Sequence, residues 1–296
     1  MSGIIAAPQD RAPLLPSPLV EVADERLRRR GVRLLLKRDD LIDAEIPGNK
    51  WRKLQPNLAA ARRQGHRRLL TFGGAYSNHI RAVAAAGHRY GLATIGVIRG
   101  EEHTPLNWSL SYAARRGMRL VYLDRATYRR NHTPEVIDRF RREYGSFYLV
   151  PEGGSNALAV RGAMAVPAEV DEPFDVICCP VGTGATVAGI AAGLAPPARA
   201  VGFSVLKGGD FLAADVARLQ DEAGVPTRNW RIETGFHFGG FAKQPPELAG
   251  FVDDFAGRHG ITLEWVYVAK MLAGVFTMAQ RGDFTPGTTV VAVVTG

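Results

Sequence analysis

From Val32 onward, short runs rich in Val, Ile and Leu alternate with longer segments of helical period, and this alternation constrains the fold more than any other feature. A brief apolar, β-branched run bounded by turn residues makes a strand buried on both faces, and a helix between successive strands makes them parallel. The pattern predicts strands over 33–37, 68–72, 93–98, 118–123, 175–180, 200–206 and 289–295. It predicts helices over 77–90, 106–116, 135–143, 156–168, 185–194, 211–222, 246–258 and 268–281. The stretch 51–64 also has helical composition, with a break expected at Pro56, which lacks a donor and crowds the preceding turn. The expected class is α/β, with mainly parallel sheet flanked by helices.

At 296 residues and 46% hydrophobic content the chain can bury one large or two ordinary domain cores. Net charge is +8, yet lysine stands only at Lys37, Lys50, Lys53, Lys207, Lys243 and Lys270, so nearly all the positive charge is arginine. The arginines are scattered, as in Arg28-Arg29-Arg30 and Arg141-Arg142, with no basic stripe interleaved with aromatics. This reads as a genomic bias, and no nucleic-acid partner is expected. Cys178 and Cys179 are adjacent in an apolar run, point to opposite faces of a strand, and cannot anchor a disulfide framework. With no signal-peptide pattern and no apolar stretch near the roughly 18 residues of a membrane span, a cytoplasmic chain with no membrane partner is expected.

Three local motifs could carry chemistry. In Gly48-Asn49-Lys50-Trp51-Arg52-Lys53 the candidate is Lys50: a lysine that forms a Schiff base must lose its proton part of the time, through burial or a positive neighbour, and Lys50 meets the second condition through Arg52 and Lys53. The same residues also fit a solvated helix start. In Gly73-Gly74-Ala75-Tyr76-Ser77-Asn78-His79 a strand leads through two glycines into a helix, whose first amides attract an anion such as a substrate carboxylate. Ser77 equally fits a plain N-cap. In Val181-Gly182-Thr183-Gly184-Ala185-Thr186, converging amides and threonine hydroxyls make a phosphate cradle, or a tight turn that needs small residues. No Gly-Lys-Ser/Thr follows, and the glycine spacing misses the dinucleotide pattern, which counts against a nucleotide-binding enzyme.

Together, Gly-Asn-Lys-x-Arg-Lys-Leu (48–54), Gly-Gly-x-x-Ser-Asn-His (73–79), Pro-Glu-Gly-Gly-Ser-Asn (151–156), Gly-Thr-Gly-Ala-Thr (182–186) and the terminal Val-Thr-Gly (294–296) resemble the D-cysteine desulfhydrase and 1-aminocyclopropane-1-carboxylate deaminase family. These are fold type II enzymes with the tryptophan-synthase-β-like fold. The resemblance implies pyridoxal 5'-phosphate, a small amino-acid substrate, no metal, and a homodimer. It implies a large cofactor domain of 1–46 and 153–296, a small domain of 47–152, and the cofactor between them. It makes Lys50 the lysine attached to the cofactor and Asn78 the partner of its ring oxygen O3′. Gly182, Thr183, Gly184, Ala185 and Thr186, with Lys53, would hold the phosphate. Thr295 would face the pyridine nitrogen. Ser77 and Tyr267 would move protons, and Tyr76, Ser77, Asn78 and His79 would line the substrate.

The chain also departs from that family. Val268 stands where its deaminases carry an acidic residue and Thr295 where they carry leucine, which argues against aminocyclopropane. Phe241 replaces a second tyrosine, Tyr76 a glutamine and Ala269 a glycine. The family's glycine-rich tail does not follow Gly296, so a more open pyridine end is expected. The resulting expectation is α,β-elimination on a small amino acid, giving pyruvate, ammonia and sulfide from D-cysteine. The alternatives are aminocyclopropane deamination and a homologue that binds the cofactor with little turnover.

Overall fold

A computed structural model describes residues 12–296; the first eleven positions of the expected larger domain lie outside the described residues. In chain order the elements begin with β1 (Leu19–Val22), α1 (Glu25–Arg28), β2 (Arg33–Lys37) and α2 (Asn49–Arg63). There follow β3 (Arg68–Gly73), α3 (Asn78–Tyr90), β4 (Ala93–Arg99), α4 (Trp108–Arg115), β5 (Met118–Leu123), α5 (Arg125–Tyr128), α6 (Pro134–Tyr144) and β6 (Tyr148–Val150). The remainder is α7 (Ala157–Ala163), α8 (Ala165–Ala168), β7 (Val176–Val181), α9 (Ala185–Gly193), β8 (Arg199–Ser204), α10 (Leu212–Ala223), β9 (Trp230–Glu233), α11 (Pro246–His259), α12 (Val268–Arg281) and β10 (Thr289–Val293).

Two sheets result. One has four strands in the order β5-β4-β3-β6, all parallel. The other has six in the order β1-β2-β10-β7-β8-β9, parallel except for the β1–β2 pair. Each sheet is covered on both faces, as its Val- and Leu-rich strands require. Leu27 of α1 and the apolar faces of α11 and α12 pack on one face of the larger sheet, and α7 to α10 on the other. Cys178 belongs to the first layer and Cys179 to the second, on opposite faces as expected. Around the smaller sheet, α2, α3 and α4 form one layer, and α5 and α6 the other. No helix among the described residues is long and apolar enough to cross a membrane.

Every expected strand and helix forms, with shifted ends and two corrections. The helix expected over 156–168 is divided at Met164 into α7 and α8. The break expected at Pro56 is absent, and α2 runs unbroken through it. A proline in a helix leaves the carbonyl four residues earlier without its donor, here that of Arg52. Gly162 of α7 lies against that carbonyl so closely that a Cβ there would sit 2.1 Å from its oxygen. Asn57 adds a side-chain bond to the Lys53 carbonyl (2.7 Å) and accepts one from Asn156 (2.7 Å), tying α2 to the start of α7. Tertiary packing thus outweighs the local propensity. The strands β1, β6 and β9 were not expected; they are short, and their neighbours supply the pairing that their sequence does not announce.

The start of α2 is fixed by a buried ionic cluster. Arg52, 5% exposed, forms a two-bond fork with Asp39 (2.6 and 2.7 Å) and another with Glu169 (2.7 and 2.8 Å). The fully buried Lys37 lies 3.2 Å from Glu169 and donates to the Ser17 carbonyl at 2.5 Å, while the Ser17 hydroxyl donates to Asp39 at 2.7 Å. Such a cluster is stable only with its hydrogen bonds complete, because stranding one buried charge is costly. Burial alone would raise the Glu169 pKa, but the bonds from Arg52 and the nearby Lys37 overcome it and hold it below the usual range.

Two outcomes follow. Arg52→Met, which removes the cation that the two carboxylates share and leaves Asp39 only the Ser17 hydroxyl from this cluster, should lower stability by about 3–5 kcal/mol, read from the urea midpoint. Since Glu169 keeps its charge in the native state to lower pH than in the unfolded chain, its stabilisation is present above the ordinary value of 4.5 and lost as pH falls below it. Wild type should therefore lose stability on acidification through that range, and Glu169→Gln, already destabilised at neutral pH, should lose less; equal slopes would refute the assignment.

Candidate functional site

The expected site residues lie at the carboxyl ends of the parallel strands or at the helix starts beside them, where α/β folds bind ligands. Gly48, Thr295 and Gly296 form the first junction. Gly48 has φ 60 and ψ −137, and a Cβ on it would lie 1.6 Å from the Thr295 carbonyl oxygen, so only glycine fits. This contact sets the start of α2, with Lys50, against the end of the chain just beyond β10. Thr295 is buried there, and Asn78 Nδ2 donates to the Gly296 carbonyl at 3.4 Å.

The β7–α9 loop, 182–186, adjoins the same place. Gly184 is in the left-handed region at φ 86 and precedes the first residue of α9, so the loop turns directly into the helix with its amides uncapped by any side chain. Asn49 Nδ2 donates to the Thr186 hydroxyl at 3.1 Å, joining α2 to this loop. The Ser155 and Thr183 hydroxyls share a hydrogen bond, bringing in the 151–156 turn. Lys53, 3% exposed, donates to the Gly153 carbonyl at 3.2 Å.

The electrostatics set the lysines apart from the cluster beneath them. Burial pushes the Lys50 pKa down to about 8. This corrects the expected cause: the Arg52 charge is taken up by Asp39 and Glu169, and burial does the work. Burial lowers Lys53 further, with Lys50 as a second cause. Among the described residues no carboxylate acts on either amine, whereas Arg52 is matched by two. Two neighbouring amines, that of Lys53 buried and that of Lys50 on a half-buried residue, beside the uncapped amides of α9 and two threonine hydroxyls, are the donor set for a phosphate dianion joined to an aldehyde. The residues fit pyridoxal phosphate.

Ser77 caps α3, accepting from the Ile80 amide at 3.3 Å, and remains partly exposed, so the cap does not preclude a chemical use. Tyr76 beside it is 64% exposed. His79 is less accessible than its motif suggests: it is 2% exposed, and its Nε2 is bonded to the Thr71 hydroxyl at 2.7 Å. Burial, then the nearby Lys50 and Lys53, hold its pKa well below 6.5, so the ring is neutral. His79 stands behind the site, against Gly154.

Tyr267 precedes α12 and approaches the loop from the other side; a Cβ on Gly182 would lie 3.2 Å from its ring. Burial raises its pKa, and Glu264 and Glu152 add to this, so the phenol keeps its proton. Glu264 accepts from the amides of Val266 (2.7 Å) and Tyr267 (2.8 Å), fixing the turn that presents the phenol. Phe241 packs edge-on against Tyr267 at 5.8 Å between centroids. The buried Lys270 holds the loop that carries Phe241, donating to the carbonyls of His237 (2.9 Å) and Gly240 (2.6 Å). Asn49, Ser155, Glu264 and Lys270 were not singled out from sequence. Asn49 and Ser155 lie inside the motifs, which was their one available signal; Glu264 and Lys270 show their roles only through their partners.

Comparison with known proteins identifies the family. Residues 10–296 match the family described as pyridoxal-phosphate dependent enzyme. A putative 1-aminocyclopropane-1-carboxylate deaminase of Thermotoga maritima is 31% identical, covering 91% of each chain. The D-cysteine desulfhydrase of Yersinia pestis is 27% identical over 90% of this chain and 87% of its own. A crystal structure of an ACC deaminase homologue superposes with a TM-score of 0.84 at 27% identity, over 97% of this chain and 90% of that one. The chain belongs to the pyridoxal-phosphate dependent enzymes of fold type II, in the D-cysteine desulfhydrase and 1-aminocyclopropane-1-carboxylate deaminase family.

Proposed function

We propose that this protein is a lyase that eliminates a β-substituent from a small amino acid, with D-cysteine as the leading substrate and pyruvate, ammonia and sulfide as products. The observation that carries the reading is the convergence of Lys50 and Lys53, buried without a carboxylate, on the loop 182–186, Asn78 and Thr295. When bound, the cofactor supplies the electron sink for charge developing at the substrate α-carbon.

The side chains then divide the work. Lys50 would carry the cofactor, and its lowered pKa suits its amine, with Ser77, to take the α-proton. Gly182, Thr183, Gly184, Ala185 and Thr186, with Lys53, would hold the phosphate at the start of α9. Asn78 would donate to the ring oxygen. Thr295 would offer the pyridine nitrogen a neutral hydroxyl and no charge, which suits β-elimination better than transamination. The first amides of α3 and Ser77 hold the substrate carboxylate, and Tyr76 lies at the mouth. The protonated phenol of Tyr267 is suited to protonate the leaving sulfur as the Cβ–S bond breaks. The released 2-aminoacrylate takes up water and yields pyruvate and ammonia. His79 supports this wall from behind and does not touch substrate.

Val268 and Thr295 favour elimination over ring opening, while the name of the Thermotoga relative keeps aminocyclopropane as the second substrate to assay. We also infer a large domain of 1–46 and 153–296, a small domain of 47–152, a homodimer and a cytoplasmic location. Support comes from the two separate sheets, from the exposed Leu14, Leu15 and Leu41, and from two buried free thiols.

A panel of D- and L-amino acids assayed for keto acid tests the function: pyruvate with sulfide from D-cysteine is expected. 2-Oxobutyrate from aminocyclopropane would establish the second reading, and a coloured but inert protein would refute both. Lys50→Ala should abolish the visible absorbance of lysine-linked cofactor; cofactor fixed covalently to the protein by borohydride reduction of that variant would sink the assignment. Because only the neutral amine captures the aldehyde, and the Lys50 pKa is lowered to about 8, the rate of cofactor uptake by apoprotein should rise with pH and level off above about 8. A rise continuing past pH 10 in stopped-flow absorbance would contradict the burial argument.

A further inference from the structure

Arg81 lies one turn beyond Asn78 in α3, on the same side of the helix. A terminal nitrogen of its guanidinium donates to Asn78 Oδ1, and the guanidinium lies over the Trp108 ring at 4.6 Å. Among the described residues it has no ion pair: Tyr112 and Glu264 act on it only as distant charges, and its Nε is buried without a partner. A half-buried arginine whose Nε is buried without a partner, held by one carboxamide and one indole, carries a desolvation cost where it stands. The other end of the Asn78 carboxamide is also committed, because Nδ2 donates to the Gly296 carbonyl. A flipped carboxamide would set Oδ1 against that carbonyl and Nδ2 against a guanidinium that has only donors. The network therefore allows one orientation.

We propose that Arg81 is a positioning residue: it fixes the Asn78 carboxamide with its NH2 on the cofactor side and, by drawing charge toward Oδ1, makes that NH2 a stronger donor to the phenolate oxygen of the cofactor. The inference rests on the role given to Asn78 above. The cofactor's visible band and its affinity both depend on how well that oxygen is hydrogen-bonded, so both report on Arg81 independently of turnover.

The test compares wild type, Asn78→Ala, Arg81→Met, Arg81→Lys and the Asn78→Ala/Arg81→Met double variant, each loaded with pyridoxal phosphate and checked for folding by far-ultraviolet circular dichroism. Asn78→Ala should shift the visible band and weaken cofactor binding. Arg81→Met should shift the band in the same direction and weaken binding about tenfold, the loss expected for a charge-assisted hydrogen bond. Arg81→Lys, which keeps a cationic donor, should recover most of both, and the double variant should add nothing to Asn78→Ala. A folded Arg81→Met with the wild-type band and affinity, alongside a shifted Asn78→Ala, overturns the role of Arg81 and leaves that of Asn78 intact. An unshifted Asn78→Ala overturns both. If Arg81→Met does not fold, Arg81→Gln replaces it: a partial shift supports the proposal, and a wild-type band with wild-type affinity refutes it.

Discussion

The double fork of Arg52, to Asp39 on one side and Glu169 on the other, is the constraint on which the site depends. Asp39 follows β2, and Glu169 follows α8, so one side chain holds α2 to two distant parts of the chain. At 3.6 residues per turn, Lys50 and Lys53 share a face of α2 while Arg52 points roughly the opposite way from Lys50. Anchoring Arg52 to Asp39 and Glu169 therefore fixes the side of α2 on which the two lysines stand. Rotation of the helix by a third of a turn would need that fork to break.

The two groups of cations in this region do opposite things because of what surrounds them. Arg52 and Lys37 are matched by carboxylates and contribute to fold and register. Lys50 and Lys53, a few ångströms of helix away, are matched by none, and the cost of their burial appears as lowered pKa values. The same logic extends to Tyr267, whose burial first, and the charges of Glu264 and Glu152 second, keep the proton on the phenol. A lysine that readily loses a proton and a phenol that retains one are the pair an elimination requires, and each is set by its environment and not by its residue type.

Much of this was legible in the sequence. The alternation of apolar runs and helical segments gave the sheets, and five short motifs gave the cofactor. What stayed hidden depended on distant partners. Pro56 reads as a helix break until Gly162 and Asn57 are seen to occupy the space around it. Lys50 seemed to need a charged neighbour, and Arg52 was available in sequence, but its charge is spent on Asp39 and Glu169. His79 sits in a motif whose other members face the cleft, and only its bond to Thr71 reveals that it turns inward. Short strands such as β6 and β9 carry too few residues to register a period of two.

The place of β10 in its sheet has a consequence for how the chain is made. Arg33 pairs with Thr289 and Val291 with Ile177, so β10, made long after both, fills the gap between two strands that emerged far earlier. Until it arrives, β2 and β7 each present an unpaired edge, and the smaller sheet, whose strands are consecutive in sequence, can assemble alone. Synthesis thus leaves a long interval in which half of the molecule is complete and the other half waits. During that interval the β2 and β7 edges offer unpaired backbone groups with which a wrong strand could pair.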